Sequence, residues 1–334
     1  MGLLGWVILI VSVTLPVLYS KRLCFEVNGI IPPVFTPVDD DGRLNLGVVR
    51  PYAQFLKDQD VDGVLVTGIA GEGPTLNVTD KKSLIDAWVL VGRSLQLSVT
   101  IQVGGMPLPD VQELAAYAEK AEADAILTLP ELYYKPKTAK ELVYFLQQVA
   151  QAAPNTPVLY YHIPKYTGVD VDMVEFLRLA TEQIPNFRGL KSEDFGTSLL
   201  LQDKLTNDQK IFVADSLYLA PAACMGFEDF IMTEINLFPL LIRSIVYYGN
   251  RDVCRRAIPL YRKMRRLRDV ITEGHEDNEL AALKEAMPMV TGINVGPIRP
   301  PEIRLTYEEV LRLEGRLEKA KIEIIDTALD DVKY

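Results

Sequence analysis

The chain has 334 residues, 49% hydrophobic and 24% charged, with 35 basic against 45 acidic side chains, a net charge of −10 and a pI near 4.9. That length holds one large unit or two smaller ones, and the composition is ordinary for an enzyme with a sizeable core. The negative balance excludes nucleic acid as a partner unless basic residues are concentrated in one patch.

In chain order, Gly2 to Leu18 is almost wholly apolar and is followed by Lys21-Arg22. The run fits a secretory signal or a short membrane anchor, and it is the only part of the chain from which membrane contact is expected. After Asn28 the pattern becomes regular. Short apolar runs rich in β-branched residues predict strands at Ile30–Phe35, Gly63–Thr67, Ser98–Val103, Ala125–Leu129, Val158–Tyr161, Phe187–Lys191, Ile211–Ala214 and Asp229–Thr233. Between them, three- and four-residue apolar spacing predicts helices, including Val48–Asp58, Thr79–Leu95, Pro109–Ala121, Thr138–Ala152 and Asp172–Ile184. Asn77-Val78-Thr79 is a glycosylation sequon in which Thr79 reads equally well as a helix N-cap.

Eight βα alternations predict an α/β fold, a (β/α)8 TIM barrel with a C-terminal helical appendage. The expected division is an apolar segment at 1–28, the barrel at 29–236, helices alone at 237–326 and a polar tail at 327–334. An open doubly wound sheet is disfavoured, because it usually carries fewer strands and a glycine-rich phosphate turn after the first. Gly68 to Gly73 has the wrong spacing for a dinucleotide fingerprint or a P-loop. The concentrated basic stretch, Arg251 to Arg268, is interleaved with Val253, Ala257, Leu260, Met264, Leu267 and Ile271 at helical spacing. Its charges therefore read as the outer or interface face of an amphipathic helix, and no nucleic-acid binding is expected. Cys24, Cys224 and Cys254 are too few and too scattered for a disulfide framework or metal cluster. Two histidines build no His-rich site either, so the expected chemistry is that of side chains with no metal or cofactor.

In such barrels the chemistry lies at the C-terminal ends of the strands. Lys191 ends one buried run and Tyr161 ends the run before it, while Tyr133-Tyr134 follow the fourth strand and Gly68–Gly73 the second. Burial favours the neutral amine of a lysine, and a neutral amine condenses with a ketone to give a Schiff base. A neighbouring phenol then moves protons at the same carbon skeleton. Convergence of these groups on one mouth makes Lys191 the candidate nucleophile.

Gly71-Glu72-Gly73, Tyr133-Tyr134, Tyr161-His162-Ile163-Pro164, Thr167-Gly168 and Gly189-Leu190-Lys191 resemble the motifs of the N-acetylneuraminate lyase and dihydrodipicolinate synthase superfamily. The resemblance runs from about Gly29 to Leu317 and is nearer to the animal sialic acid lyases than to the bacterial synthases. The segment Lys284–Gly296 is also lyase-like, and Lys165-Tyr166 stands where the synthases usually carry an arginine. The resemblance implies a cofactor-free, pyruvate-dependent class I aldolase that acts on a small keto acid or sugar acid. It also implies a homo-oligomer, typically a tetramer, in the cytoplasm, which the apolar start would change to the secretory pathway or a membrane. Lys191, Tyr161 and Tyr133, or its neighbour Tyr134, are the implied catalytic residues, with Tyr133 often supplied by an adjacent subunit.

Several implied substrate-binding positions depart from the family pattern. The two loop hydroxyls that hold the pyruvate carboxylate are replaced by Ile69 and Ala70, so only backbone amides remain there. Glu193 stands where a hydroxyl is expected. Ala214, Asp215, Ser216 and Leu217 stand where the lyases carry Gly-x-Asp-Glu. Thr233 keeps its hydroxyl, while Glu234 replaces a small polar neighbour. Pro221 falls in a segment expected to be helical. These changes leave open a different 2-keto acid, or a catalytically weakened paralogue kept for binding.

Overall fold

The computed structural model describes residues 25–251 and 253–331, with side chains described to residue 320. The apolar segment before residue 25 lies outside the described residues, as do the last three of the chain. Eight strands form one sheet: β1 (Ile30–Ile31), β2 (Gly63–Val66), β3 (Ser98–Gln102), β4 (Ala125–Thr128), β5 (Val158–His162), β6 (Phe187–Ser192), β7 (Lys210–Val213) and β8 (Phe230–Ile231). Every neighbouring pair is parallel, in the order β1-β8-β7-β6-β5-β4-β3-β2.

The sheet closes on itself between β1 and β2. Pro33 bridges Leu65, with the Leu65 N–H donating to Pro32 O at 2.9 Å and the Val34 N–H donating to Leu65 O at 3.0 Å. Both donors belong to residues other than proline, so the missing N–H of Pro33 costs this junction nothing. The two prolines nonetheless shorten the first strand to two residues, where the sequence pattern predicts six.

The helices alternate with the strands as the 3.6-residue periodicity predicts. They are α1 (Val49–Asp58), α2 (Val78–Leu95), α3 (Leu108–Lys120), α4 (Ala139–Ala152), α5 (Pro164–Thr167), α6 (Met173–Gln183), α7 (Phe195–Gln202) and α8 (Leu219–Cys224). Asn77, rather than Thr79, caps α2, its side-chain oxygen accepting the Asp80 N–H at 2.8 Å. Pro221 lies in the first turn of α8, where its missing N–H would have met Leu217 O. That carbonyl accepts the Tyr261 hydroxyl at 2.7 Å instead.

Beyond β8 come α9 (Pro239–Gly249), α10 (Cys254–Thr272), α11 (Glu279–Thr291) and α12 (Tyr307–Asp331). Helix α9 packs on β1 and α8, so the helical ring around the barrel extends past residue 236. Helix α12 runs to Asp331, through most of the segment expected as a polar tail. Cys224 at the end of α8 is disulfide-bonded to Cys254 at the start of α10, with Cα atoms 5.8 Å apart, a pairing that the scattered cysteines of the sequence did not suggest. Among the described residues no helix is long and apolar enough to cross a membrane.

Two apolar layers result. Ile31, Leu65, Leu127, Leu159, Phe212 and Ile231 point into the barrel, and a larger layer packs between the strands and the helices. Along β5 and β6 the pairing shifts by one residue: Val158 faces Phe187, but Leu159 faces Gly189. Gly189 sits at φ +121°, and a Cβ there would lie 1.9 Å from Lys210 O, so only glycine fits. The buried stripe expected for the basic helix is present at Ala257, Met264, Leu267 and Ile271 of α10.

Candidate active site

Tyr161 and Lys191 are register partners at the C-terminal ends of β5 and β6, and both are buried. The Lys191 ammonium nitrogen lies 3.7 Å from the centroid of the Tyr161 ring. Glu193, two residues further along the chain, touches both: its Oε1 accepts the hydrogen bond of the Tyr161 hydroxyl and lies 3.7 Å from Lys191 Nζ. Burial lowers the Lys191 pKa to about 8, against the opposing attraction of Glu193. Burial also raises the Tyr161 phenol well above its ordinary value, and the Glu193 charge and hydrogen bond raise it further. A partly neutral amine and a firmly protonated phenol therefore share one carboxylate.

These groups open into a cleft of ≈ 960 Å³ at the barrel mouth. The loop after β2 forms its floor through two nested turns, with the Glu72 N–H donating to Ile69 O at 2.8 Å and the Gly73 N–H to Gly68 O at 3.0 Å. A Cβ on Gly73 would lie 2.0 Å from Thr67 O, so the glycine is required for this turn. Ile69 and Ala70 line the cleft, and among the described residues their backbone N–H groups have no acceptor. N–H donors without acceptors on successive residues suit a carboxylate. Glu72 turns the other way. Its carboxylate is buried against Lys284 of α11 at 2.5 Å and accepts the Arg299 N–H at 2.6 Å, tying the loop to the C-terminal helices.

Of the other residues expected from the sequence, Glu193, Ala214, Ser216 and Thr233 line the same cleft. Leu217 does not: it is half exposed, and its N–H is held by Asp215, which caps the short turn Ser216–Tyr218 at 2.9 Å. Tyr133 and Tyr134 are also absent from the lining and stand 84% and 82% exposed, their rings edge to face at 5.0 Å.

The structure adds a pairing that the sequence pattern hid. Glu234, just past β8, is buried and binds Arg268 of α10 at 2.8 Å, and Arg268 also binds Glu279 at the start of α11. One charge of the basic helix thus turns inward to the mouth instead of outward. Arg268 lies beside Leu267 and three residues before Ile271, on the margin of the buried stripe, and that position was its only signal.

A closed (β/α)8 barrel carrying a buried lysine amine against a phenol on the next strand end defines an enzyme of the carbon–carbon lyase class. The chain belongs to the dihydrodipicolinate synthetase family, whose model matches residues 26–320. It is 31% identical over 299 residues to the N-acetylneuraminate lyase of Gallus gallus, covering 88% of this chain and 96% of that one. To the N-acetylneuraminate lyase of Homo sapiens it is 30% identical over 300 residues, covering 87% and 92%. The N-acetylneuraminate lyase (sialic acid aldolase) structure from Aliivibrio salmonicida superposes with a TM-score of 0.82 at 26% identity, covering 88% of this chain and 97% of that chain.

Proposed function

We propose that this chain is a class I aldolase that cleaves a 2-keto acid such as N-acetylneuraminate to pyruvate and an aldehyde, here N-acetylmannosamine, through a Schiff base on Lys191. The observation that carries the reading is the buried Lys191 amine held against Tyr161 on the adjacent strand end. Lys191 attacks the ketone of the open-chain substrate, giving an iminium that serves as the electron sink. Tyr161 takes the proton of the C4 hydroxyl as the C3–C4 bond breaks, leaving the pyruvate enamine and releasing the aldehyde. The substrate carboxylate is held by the Ile69 and Ala70 amides, with Ala214, Ser216 and Thr233 along the path of the sugar chain. We assign exposed Tyr133 to the mouth of a neighbouring subunit in a homotetramer.

A related substrate is favoured by one observation: on the β7 side of the cleft Ala214 offers only a methyl group, and one oxygen of Asp215 is already taken by the Leu217 N–H. A shorter or less hydroxylated 4-hydroxy-2-keto acid fits that wall. The test is incubation with pyruvate, reduction by borohydride and a search for the mass adduct on Lys191. An intact chain that gives no adduct would overturn both readings. Turnover of N-acetylneuraminate compared with simpler 4-hydroxy-2-keto acids then separates the two.

A further inference from the structure

We propose that Glu193 is the proton-accepting partner of Tyr161, so that the proton relay of this aldolase is complete within one chain. The inference rests on the Schiff-base reading above and deepens it. Among the described residues, the hydrogen-bond acceptor on the Tyr161 hydroxyl is the Glu193 carboxylate. No hydroxyl is available from the loop after β2, where Ile69 and Ala70 line the cleft. Tyr133 is 84% exposed and does not line the cleft within the chain. A buried phenol that is hard to ionise is a poor base on its own. It becomes an effective one if its own proton leaves as another arrives.

The geometry allows that exchange to balance. On cleavage the C4 hydroxyl proton passes to the Tyr161 oxygen while the Tyr161 proton passes to Glu193 Oε1. The C3–C4 electron pair moves into the C2–nitrogen iminium, which becomes a neutral enamine, and C4 becomes the aldehyde carbonyl. The positive iminium and the negative carboxylate, 3.7 Å apart as Lys191 and Glu193, therefore lose their charges together. No unpaired charge is stranded in the buried site, which would be costly. The proton then returns through Tyr161 to C3, the enamine pair forming the new C–H bond. This regenerates the carboxylate and the pyruvate iminium, which water hydrolyses. Glu193 also faces solvent with about a third of its side chain, at 32% exposure, so it reaches the cleft without a rearrangement.

The other titratable side chains beside this cluster are Asp194, which is engaged with Gly196 and Thr197 at the start of α7, and Tyr166 at the mouth. Neither accepts the phenol proton, so the relay has one exit.

The experiment pairs two readouts on wild type, Glu193→Gln and Glu193→Asp. Glutamine keeps an acceptor oxygen for Tyr161 but takes up no proton. Glu193→Gln is expected still to trap pyruvate on Lys191 at pH 9, which reports an intact site, while kcat for cleavage falls about 10²–10⁴-fold. Glu193→Asp recovers part of that loss. The pH dependence of kcat, read in the Schiff-base complex where the lysine amine is consumed, loses its acid limb in Glu193→Gln. A Glu193→Gln chain that traps pyruvate and turns over near the wild-type rate, acid limb intact, overturns the inference alone. A wild-type chain that traps no pyruvate overturns the Schiff-base reading and this one with it.

Discussion

The Lys191 amine lies 3.7 Å above the ring face of Tyr161, its register partner across β5 and β6. With its pKa lowered to about 8, roughly a tenth of the amine is neutral at pH 7, far more than for a lysine in water. The rate of borohydride-trapped pyruvate adduct formation should therefore rise with pH and level off above about 8. Removing the Glu193 charge, which raises this pKa, should move that rise to lower pH. A rate still climbing steeply at pH 10 would contradict the assignment.

The same burial costs stability. The folded-state pKa of Lys191 is below the unfolded value of 10.5, so between about 8 and 10.5 the unfolded chain binds more protons and stability rises with pH. Below that window the lysine costs on the order of 3 kcal/mol. Lys191→Met should thus abolish the adduct yet stabilise the fold at pH 7, by up to a few kcal/mol, and flatten the rise toward pH 10. Lys81, also lowered to about 8 by burial, leaves a share of that rise in place. Denaturant melts at pH 7 and pH 9.5 measure both effects.

Tyr161→Phe removes the phenol but leaves the amine and the barrel wall. Its expected signature is a cleavage rate lower by about 10²–10⁴-fold with pyruvate adduct formation retained. Single-turnover kinetics on a 4-hydroxy-2-keto acid, with trapping on the same sample, distinguish this from a collapsed pocket.

The carboxylate floor can be tested by gain of function. Ala70→Ser, alone and with Ile69→Thr, restores hydroxyl donors beside two backbone N–H groups that have no other acceptor among the described residues. One well-placed donor in a dry site is worth about 2.7–4 kcal/mol in the transition state. Even a fraction of that should raise kcat/KM at least several-fold, and an unchanged value would mean that the amides already suffice.

Glu72 and Lys284 form an ion pair at 2.5 Å with both side chains essentially inaccessible. Lys284→Met strands the Glu72 carboxylate in the interior and should cost about 3–5 kcal/mol. Adding Glu72→Gln, which keeps an acceptor for the Arg299 N–H, should recover part of the loss. Urea unfolding of the two variants gives the comparison.

Much of this architecture was legible along the chain because strands, helices and strand ends leave local patterns. All eight strands, the helices between them and the pairing of Lys191 with Tyr161 at one mouth follow from spacing alone. That Ile69 and Ala70 carry no hydroxyl was legible too, since the residue type at a position needs no coordinates. What stayed hidden depends on contacts distant in sequence or on side-chain direction. The Glu72–Lys284 pair spans 212 positions. Glu193 read only as a departure from an expected hydroxyl, whereas in the fold it lies against the Tyr161 hydroxyl. Arg268 was counted with an outward face although it points to the barrel mouth.

The extra residue in β6 governs the parity of the strand. Counted outward from Phe187 in strict alternation, position 191 would point to the helices and position 190 into the barrel. Because Leu159 faces Gly189, the count slips by one: Leu190 packs outward and Lys191 points inward. The inward direction of Lys191 therefore depends on a glycine that makes no chemical contribution. Replacing Gly189, where a Cβ would meet Lys210 O, would press the strand toward strict alternation and turn Lys191 away from the cleft, with every other residue of the site unchanged.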